Sequence, residues 1–330
     1  MKTCLIYGQN GLDLDVTFNL IAFYKDLGYK TYFSNKLYDA TILVVLRAID
    51  KPIDLSSYNY SQVHVYDYGG WGYDSFVNSV DHKKTYIFST SEKTKERLIK
   101  NLGFPQEHIF IALPPVETSL WIAKKTRIKY DFVHIGNYKN IEDDDNVRKS
   151  FLDCMLQLKV DVWGLGWINN EKGKYHGKVG LFKVSDIYSS SKYALGLMYR
   201  FQRNVTFSGR FWHAPLNGCY IFTEPGLYTK IIPGVIETDY SIEDIKRKIV
   251  EIGDRKILKK EAEQFWTEQN AKTLSYILPL LKQIKEANFT TQLHRYTQYK
   301  KNTIINFLKI WYQRLEIFKT IDLRLILNKH

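Results

Sequence analysis

Between Thr3 and Leu113 short apolar runs alternate with runs of helical period, and after Pro114-Pro115 the same alternation begins again. Thr3–Gly8 reads as a buried strand. Val16–Leu27 reads as a helix with Phe18, Ile21, Phe23, Tyr24 and Leu27 near one face, closed by Gly28. Thr31–Ser34, Thr41–Leu46, Val63–Tyr68, Lys84–Ser89 and Ile109–Leu113 read as strands. Glu92–Leu102 reads as a helix capped by Ser91 and ended by Gly103. Glu117 to Lys129 follows neither period and reads as a linker. Beyond it, Tyr130–Ile135, Val160–Gly164, Tyr193–Met198 and Tyr220–Thr223 are expected strands. Asn146–Leu158, Ser185–Ser191, Gly209–Leu216 and Ser241–Gly253 are expected helices, followed by a long helical stretch from Arg255 to Ala287. Strands interleaved with helices predict parallel sheets with helical crossovers. The expected organisation is an α/β chain of two facing Rossmann-like domains, 1–116 and 130–288, joined by a linker over 117–129 and followed by a helical tail over 289–330. Open α/β sheets bind ligands outside the carboxyl ends of their strands, so the cleft between the lobes is the expected site.

Charge adds a constraint. The 330 residues carry a net +12, from 47 Lys+Arg against 35 Asp+Glu. Between Thr290 and His330 eight basic residues meet only Glu316 and Asp322, so half of the excess sits in the tail. Over residues 300–327 these charges are interspersed with Ile304, Phe307, Leu308, Trp311, Leu315 and Phe318. That is the composition of an interfacial amphipathic helix pair. Two readings stay open, docking on an anionic membrane surface and packing on the first lobe. The remaining charge is diluted, so a nucleic-acid partner is not expected. Cys4, Cys154 and Cys219 are far apart with no CxxC, which argues against a zinc knuckle or a disulfide framework. The apolar run Cys4–Tyr7 is too short for a secretory h-region, and no stretch is long and apolar enough to span a bilayer. The expected location is cytoplasmic, with peripheral attachment to the inner face of the membrane.

Several local patterns carry chemistry. Gly8-Gln9-Asn10-Gly11 follows the first strand but lacks the GxGxxG spacing and a Walker lysine, so it reads as a turn facing the cleft. Asp13 and Asp15 lie just beyond it, where an acceptor would be met. Tyr66-Asp67-Tyr68-Gly69-Gly70-Trp71-Gly72 places Asp67 at a strand end before a glycine-rich aromatic loop, a pattern that suits a turn and a sugar site equally. Glu142-Asp143-Asp144-Asp145 contains a DxD string, but it immediately precedes a helix, where acids cap free N–H groups. No histidine pairs with another at metal-ligand spacing, and His134, inside a strand, reads as a core residue.

The stretch from Asp131 to Gly226 is the most informative. Asp131-Phe132-Val133-His134-Ile135-Gly136-Asn137 is followed by Val162-Trp163-Gly164-Leu165-Gly166-Trp167. Then come Tyr175-His176-Gly177, Asp186-Ile187-Tyr188-Ser189-Ser190-Ser191-Lys192, and Ser208-Gly209-Arg210-Phe211-Trp212-His213-Ala214-Pro215 running on to Thr223-Glu224-Pro225-Gly226. Glycines after strands let backbone N–H groups approach a diphosphate, a helix N-terminus adds favourable dipole, an arginine supplies a fixed fork, and a glutamate at a strand end accepts sugar hydroxyls. This order resembles the C-terminal half of GT-B glycosyltransferases, in particular the CgeB-like and group 1 families, and Pro114-Pro115-Val116-Glu117 resembles their interlobe stretch. One departure stands out: where the family carries Glu after its arginine, this chain has His213.

The resemblance implies a GT-B fold and transfer of a sugar from a nucleotide-sugar to an acceptor hydroxyl. Its donor residues would be Gly136, Asn137, Gly164, Tyr188, Lys192, Arg210, His213 and Glu224, with no metal. In an inverting reaction Asp67, then Asp13, would be the base. The expected acceptor is a glycan or lipid-linked precursor of a surface polysaccharide such as lipopolysaccharide, O-antigen or capsule. The alternatives are a DNA-modifying glycosyltransferase of the same fold and a non-catalytic two-lobed nucleotide- or sugar-binding protein.

Overall fold

The computed structural model describes residues 2–8, 14–34, 36–46, 54–67, 74–124, 126–138, 146–167, 174–198, 203, 208–253 and 258–284. The first lobe runs β1 (Thr3–Tyr7), α1 (Leu14–Asp26), β2 (Lys30–Ser34), β3 (Ile42–Leu46), β4 (Gln62–Asp67), α2 (Asp74–Ser79), β5 (Thr85–Ser89), α3 (Glu92–Leu102) and β6 (Ile109–Ile111). Its six strands are ordered β2-β1-β3-β4-β5-β6, and every pairing is parallel. A parallel sheet needs apolar residues on both faces because helices cover both. The ILVVL run of β3 and the TYIFS run of β5 are buried throughout. Ser91 caps α3 by accepting from the Thr94 amide at 3.2 Å, and Gly103 ends it at φ +61.

The second lobe runs α4 (Thr118–Trp121), β7 (Tyr130–Ile135), α5 (Asn146–Gln157), β8 (Asp161–Trp163), β9 (Lys174–Tyr175), α6 (Leu181–Ser189), β10 (Ser191–Leu195), α7 (Arg210–Leu216), β11 (Tyr220–Thr223), β12 (Val235–Glu237), α8 (Ile242–Ile252) and α9 (Leu258–Lys282). Its sheet is also parallel and six-stranded, in the order β12-β11-β10-β7-β8-β9.

Three expectations change. β10 begins two residues earlier than its apolar pattern suggests, because Ser191 pairs with Tyr130 and Gly196 already lies beyond the strand. The short α2, β9 and β12 carry too few apolar residues to show a period. The linker is not irregular throughout: Glu117 caps the short α4 by accepting from the Ser119 amide, and Trp121 is fully buried, while 122–124 and 126–129 carry no regular element.

That linker is bolted down by three asparagines. Asn19 of α1 accepts from the Glu117 amide at 3.0 Å and the Trp121 indole at 2.6 Å. Asn217, after α7, accepts from the Ala123 amide and donates to the Trp121 carbonyl. Asn270 of α9 holds both the amide and the carbonyl of Val116, at 2.9 and 2.8 Å. The first lobe, the second lobe and α9 thus all grip the crossover. α9 itself bridges the lobes. Its Trp266 meets Trp212 edge-on in the second lobe, while Thr273 donates to the Leu113 carbonyl, Tyr276 stacks on Phe110, and Gln62 donates to the Leu280 carbonyl in the first. One continuous apolar cluster, including Tyr24, Trp121, Trp212 and Trp266, runs through both lobes.

Strand order also locates the crevices. In the first sheet the chain direction of winding reverses between β1 and β3, in the second between β7 and β10. Ligands of such sheets bind at these switch points, beyond the strand ends.

Candidate functional site

Arg210 occupies the crevice of the second lobe. It is the first residue of α7, and its guanidinium lies across the ends of the two strands that flank the switch point. Nε donates to the Ile135 carbonyl at the end of β7, at 2.6 Å, and Nη1 donates to the Leu197 carbonyl beyond β10, at 3.0 Å. Nη1 also reaches Ser208 Oγ at 3.3 Å. Nη2 carries no hydrogen bond among the described residues and lies over Gly136, where a Cβ would stand only 2.3 Å from it. Gly136 is therefore what admits the guanidinium. The protein carbonyls fix the plane of the fork, and Nη2 keeps two N–H donors for an anion. His134, just before, donates Nδ1–H to the Leu195 carbonyl at 2.8 Å. Burial first, and Arg210 beside it second, push its pKa down to about 3, so it adds no charge here.

The glycines serve a purpose other than the expected one. The Gly136 amide donates to the Trp163 carbonyl and the Gly164 amide to the Gly177 carbonyl, both at 2.9 Å, so neither is left for a diphosphate. Gly164, at φ +146, comes so close to Gly136 that a Cβ would lie 1.8 Å from the Gly136 oxygen. These residues lock the loops after β7 and β8 together. Asn137 completes the lock by accepting from the Leu165 amide at 2.9 Å, and Trp167 does so by donating to the Gly136 carbonyl at 2.7 Å.

Three further expected donor residues are placed elsewhere. Lys192 enters β10 at its N-terminal end and pairs with Asp131 of β7 at 2.6 Å. It is therefore at the N-terminal end of the central strands, about 13 Å of strand from Gly196. Tyr188 is buried in the core, and burial pushes its hydroxyl pKa well up, so it offers no exposed ring face. Glu224 does stand at the end of β11, but it is only 2% exposed. Oε1 accepts from the Met198 amide at 2.7 Å and Arg203 Nε at 3.1 Å; Oε2 accepts from Thr223 Oγ1 at 2.9 Å and the Tyr240 hydroxyl. A carboxylate has about four acceptor sites; three have their own donor, and the Tyr240 hydroxyl, shared with the Gly196 carbonyl, stands at the fourth. Glu224 braces the loop after β10 and offers nothing to a ribose.

His213 lies one turn along α7 from Arg210 and is buried. Its ring meets the Trp121 indole edge-on at 4.8 Å. Nε2 faces Asp15 Oδ2 of the first lobe at 3.3 Å, and Nδ1 is buried with no partner among the described residues. The carboxylate selects the tautomer with its proton on Nε2, which leaves Nδ1 as a bare acceptor. An unsatisfied buried polar atom costs about 1–3 kcal/mol. Asp15 belongs to the first turn of α1, directly after the loop that leaves β1 at the first lobe's switch point. The two crevices therefore meet at this pair. The sequence places Asp15 near the cleft, but only the tertiary structure sets it against His213. The asparagine grip on the linker gives no sequence signal at all.

The backbone of Asp67 ends β4 opposite Ser89, one strand beyond β3. Asp13, the side chain of Asp67, the Glu142–Asp145 string and the tail over 289–330 lie outside the described residues. Among the described residues no three His, Cys, Asp or Glu side chains cluster as metal ligands, and no helix is long and apolar enough to cross a membrane.

Solved structures share this architecture. AviGT4, described as a glycosyltransferase involved in avilamycin A biosynthesis, is 9% identical and aligns with a TM-score of 0.58 over 86% of this chain and 99% of its own. T4 phage BGT, solved with UDP and Mn2+, is 11% identical with a TM-score of 0.53 over 86% and 100%. An alpha-glucosyltransferase, solved with UDP and a 13-mer DNA, is 12% identical with a TM-score of 0.50 over 81% and 94%. The chain thus has the GT-B fold, two Rossmann-like lobes facing across a cleft. No protein-family model matches it, and no curated protein does.

Proposed function

We propose that the protein is a glycosyltransferase, taking a nucleotide-sugar on its second lobe and passing the sugar to an acceptor hydroxyl presented from the first. The observation that carries this reading is Arg210, whose guanidinium is held by two strand-end carbonyls in the switch-point crevice while Nη2 makes no hydrogen bond among the described residues. Fixed donors aimed at the diphosphate stabilise the charge that develops as it leaves, without reorganising during the reaction. On this reading the charge is stabilised without a metal. The similar fold of T4 phage BGT, solved with UDP and Mn2+, makes metal dependence a point to measure, by comparing turnover with EDTA and with added Mn2+. The test of the pocket is a thermal-shift screen of the chain against UDP, GDP and CMP and their sugars, since a ligand that binds only the folded state raises its melting temperature. Arg210→Lys is expected to abolish the shift. A shift undiminished in that variant refutes the assignment.

For the acceptor we favour a glycan or lipid-linked precursor of a surface polysaccharide, made at the cytoplasmic face of the membrane. What supports it is the basic, Trp- and Tyr-bearing composition of residues 300–327, suited to an anionic surface. Co-sedimentation of the full chain with anionic vesicles, lost on removal of 290–330, tests it. A DNA acceptor is the second reading. It is favoured by the DNA-bound alpha-glucosyltransferase among the similar folds. Binding to duplex DNA that weakens steeply with salt would select it.

A further inference from the structure

We propose that Asp15 is the group that takes the proton from the acceptor hydroxyl, and that His213, reaching across from the other lobe, positions it. This inference rests on the glycosyltransferase reading above and names the base for its reaction. Asp67 and Asp13 were the sequence candidates for this role. Asp13 and the Asp67 side chain lie outside the described residues, and the structure brings the Asp15 carboxylate to the place where the two switch-point crevices meet.

Four observations converge on it. Asp15 Oδ2 stands 3.3 Å from His213 Nε2, and the side chain of Asp15 keeps 16% of its surface open while that of His213 keeps 5%. Asp15 Oδ1 accepts from the Val16 amide at 2.9 Å, so the carboxylate is held at both oxygens. Gly209, immediately before Arg210, admits it, since a Cβ there would lie 2.6 Å from Oδ2. A carboxylate from the first lobe therefore sits next to the residue that starts the donor-binding helix turn. Finally, His213 keeps Nδ1 buried without a partner among the described residues, so its ring is oriented by Asp15 and by the Trp121 indole rather than by a full set of hydrogen bonds. A residue placed to maximise stability would satisfy both nitrogens.

The reaction balances as a single displacement. The acceptor O–H proton passes to Asp15, and the acceptor oxygen forms the new bond to the anomeric carbon. The bond from that carbon to the diphosphate breaks, and its electron pair leaves on the nucleoside diphosphate beside Arg210. Attack opposite the leaving group inverts the anomeric configuration. His213 is a positioning residue. It touches the carboxylate and not the substrate, so the base is assembled only when the two lobes are in contact.

The experiment measures nucleotide release from UDP-glucose, GDP-mannose and CMP-sialic acid, with binding of each followed by thermal shift. The variants are Asp15→Asn, His213→Ala, His213→Gln, Asp13→Asn and Asp67→Asn. Asp15→Asn is expected to bind the nucleotide-sugar as the wild type does while losing about 100-fold or more in kcat, the range for loss of a general base. His213→Ala is expected to lose kcat with KM little changed, and His213→Gln, whose amide still donates to Asp15, to recover most of it. Proton NMR of the freshly released sugar is expected to show inversion. Full turnover by Asp15→Asn, retention of configuration, or a loss in Asp67→Asn or Asp13→Asn that Asp15→Asn does not share overturns the proposal. If no nucleotide-sugar shifts the wild type, the glycosyltransferase reading itself falls, and the binding arm shows this separately.

Discussion

Lowering the pH from about 7.5 to about 5 is expected to remove roughly 4 kcal/mol of stability, half from each lobe, through two buried histidines. In the first lobe His64 donates Nε2–H to Gln62 Oε1 at 2.9 Å and accepts at Nδ1 from the Tyr24 hydroxyl at 2.6 Å. Gln62 in turn donates to the Leu280 carbonyl of α9 at 2.6 Å. Every site of the neutral ring is filled, and burial pushes its pKa from 6.5 to about 3. His134 in the second lobe is likewise held near 3, by burial and then by Arg210. Because both folded values are depressed, the unfolded chain binds more protons below pH 6.5. Stability is therefore complete above about pH 6.5 and is lost as the pH falls toward about 3. At about pH 5 each histidine is about 1.5 pH units below its unfolded value, which at 1.36 kcal/mol per unit is about 2 kcal/mol. Urea unfolding followed by tryptophan fluorescence at a series of pH values measures the slope, expected to approach about 1.3 kcal/mol per pH unit per histidine. A His64→Gln/His134→Gln double variant should flatten it. A double variant that keeps the wild-type slope refutes the assignment of the acid sensitivity to these two rings.

Other outcomes separate the site as built from the site as first read. Lys192→Ala, at the N-terminal end of the central strands, should leave nucleotide affinity in the thermal-shift screen unchanged; a lost shift would return Lys192 to the pocket. Gly164→Ala drives a Cβ into the Gly136 oxygen and should weaken nucleotide binding by about tenfold or more, whereas Gly177→Ala, at φ +86 with open space around it, should cost only about 1–2 kcal/mol of stability and leave binding intact. Equal binding by the two variants would show that the loop lock does not shape the pocket. Tyr240→Phe removes the hydroxyl that serves buried Glu224 and should cost about 2–3 kcal/mol in urea unfolding. A loss below about 0.5 kcal/mol would mean that Glu224 does not depend on it.

The layered architecture was legible because its causes are local. Apolar runs such as Ile42–Leu46 can be buried only in a sheet covered on both faces, and Ser91 and Gly103 mark the ends of α3 by the chemistry of their own positions. β9 and β12, of two and three residues, carry too little pattern to be seen. Arg210 was singled out by its place after Ser208-Gly209, and the structure sets its guanidinium across the ends of β7 and β10. Glu224 was misread for a physical reason. A carboxylate at a strand end looks the same in sequence whether it faces a ligand or is surrounded by its neighbour Thr223, by Met198 and Arg203 of the loop after β10, and by Tyr240 beyond β12.

The sequence by itself determined the periods, the caps and the break at Pro114-Pro115, hence two α/β lobes, since each depends on neighbours a few residues away. Only the tertiary structure decided which partner a strand residue meets, as where Lys192 pairs with Asp131 of the neighbouring strand. It also decided which side chains meet across the lobes. Gly136 and Arg210 are joined by the room one leaves for the other, Asn270 holds Val116, and Asp15 faces His213. Such contacts depend on where separate crossovers deliver their ends, and no spacing within a single segment records that.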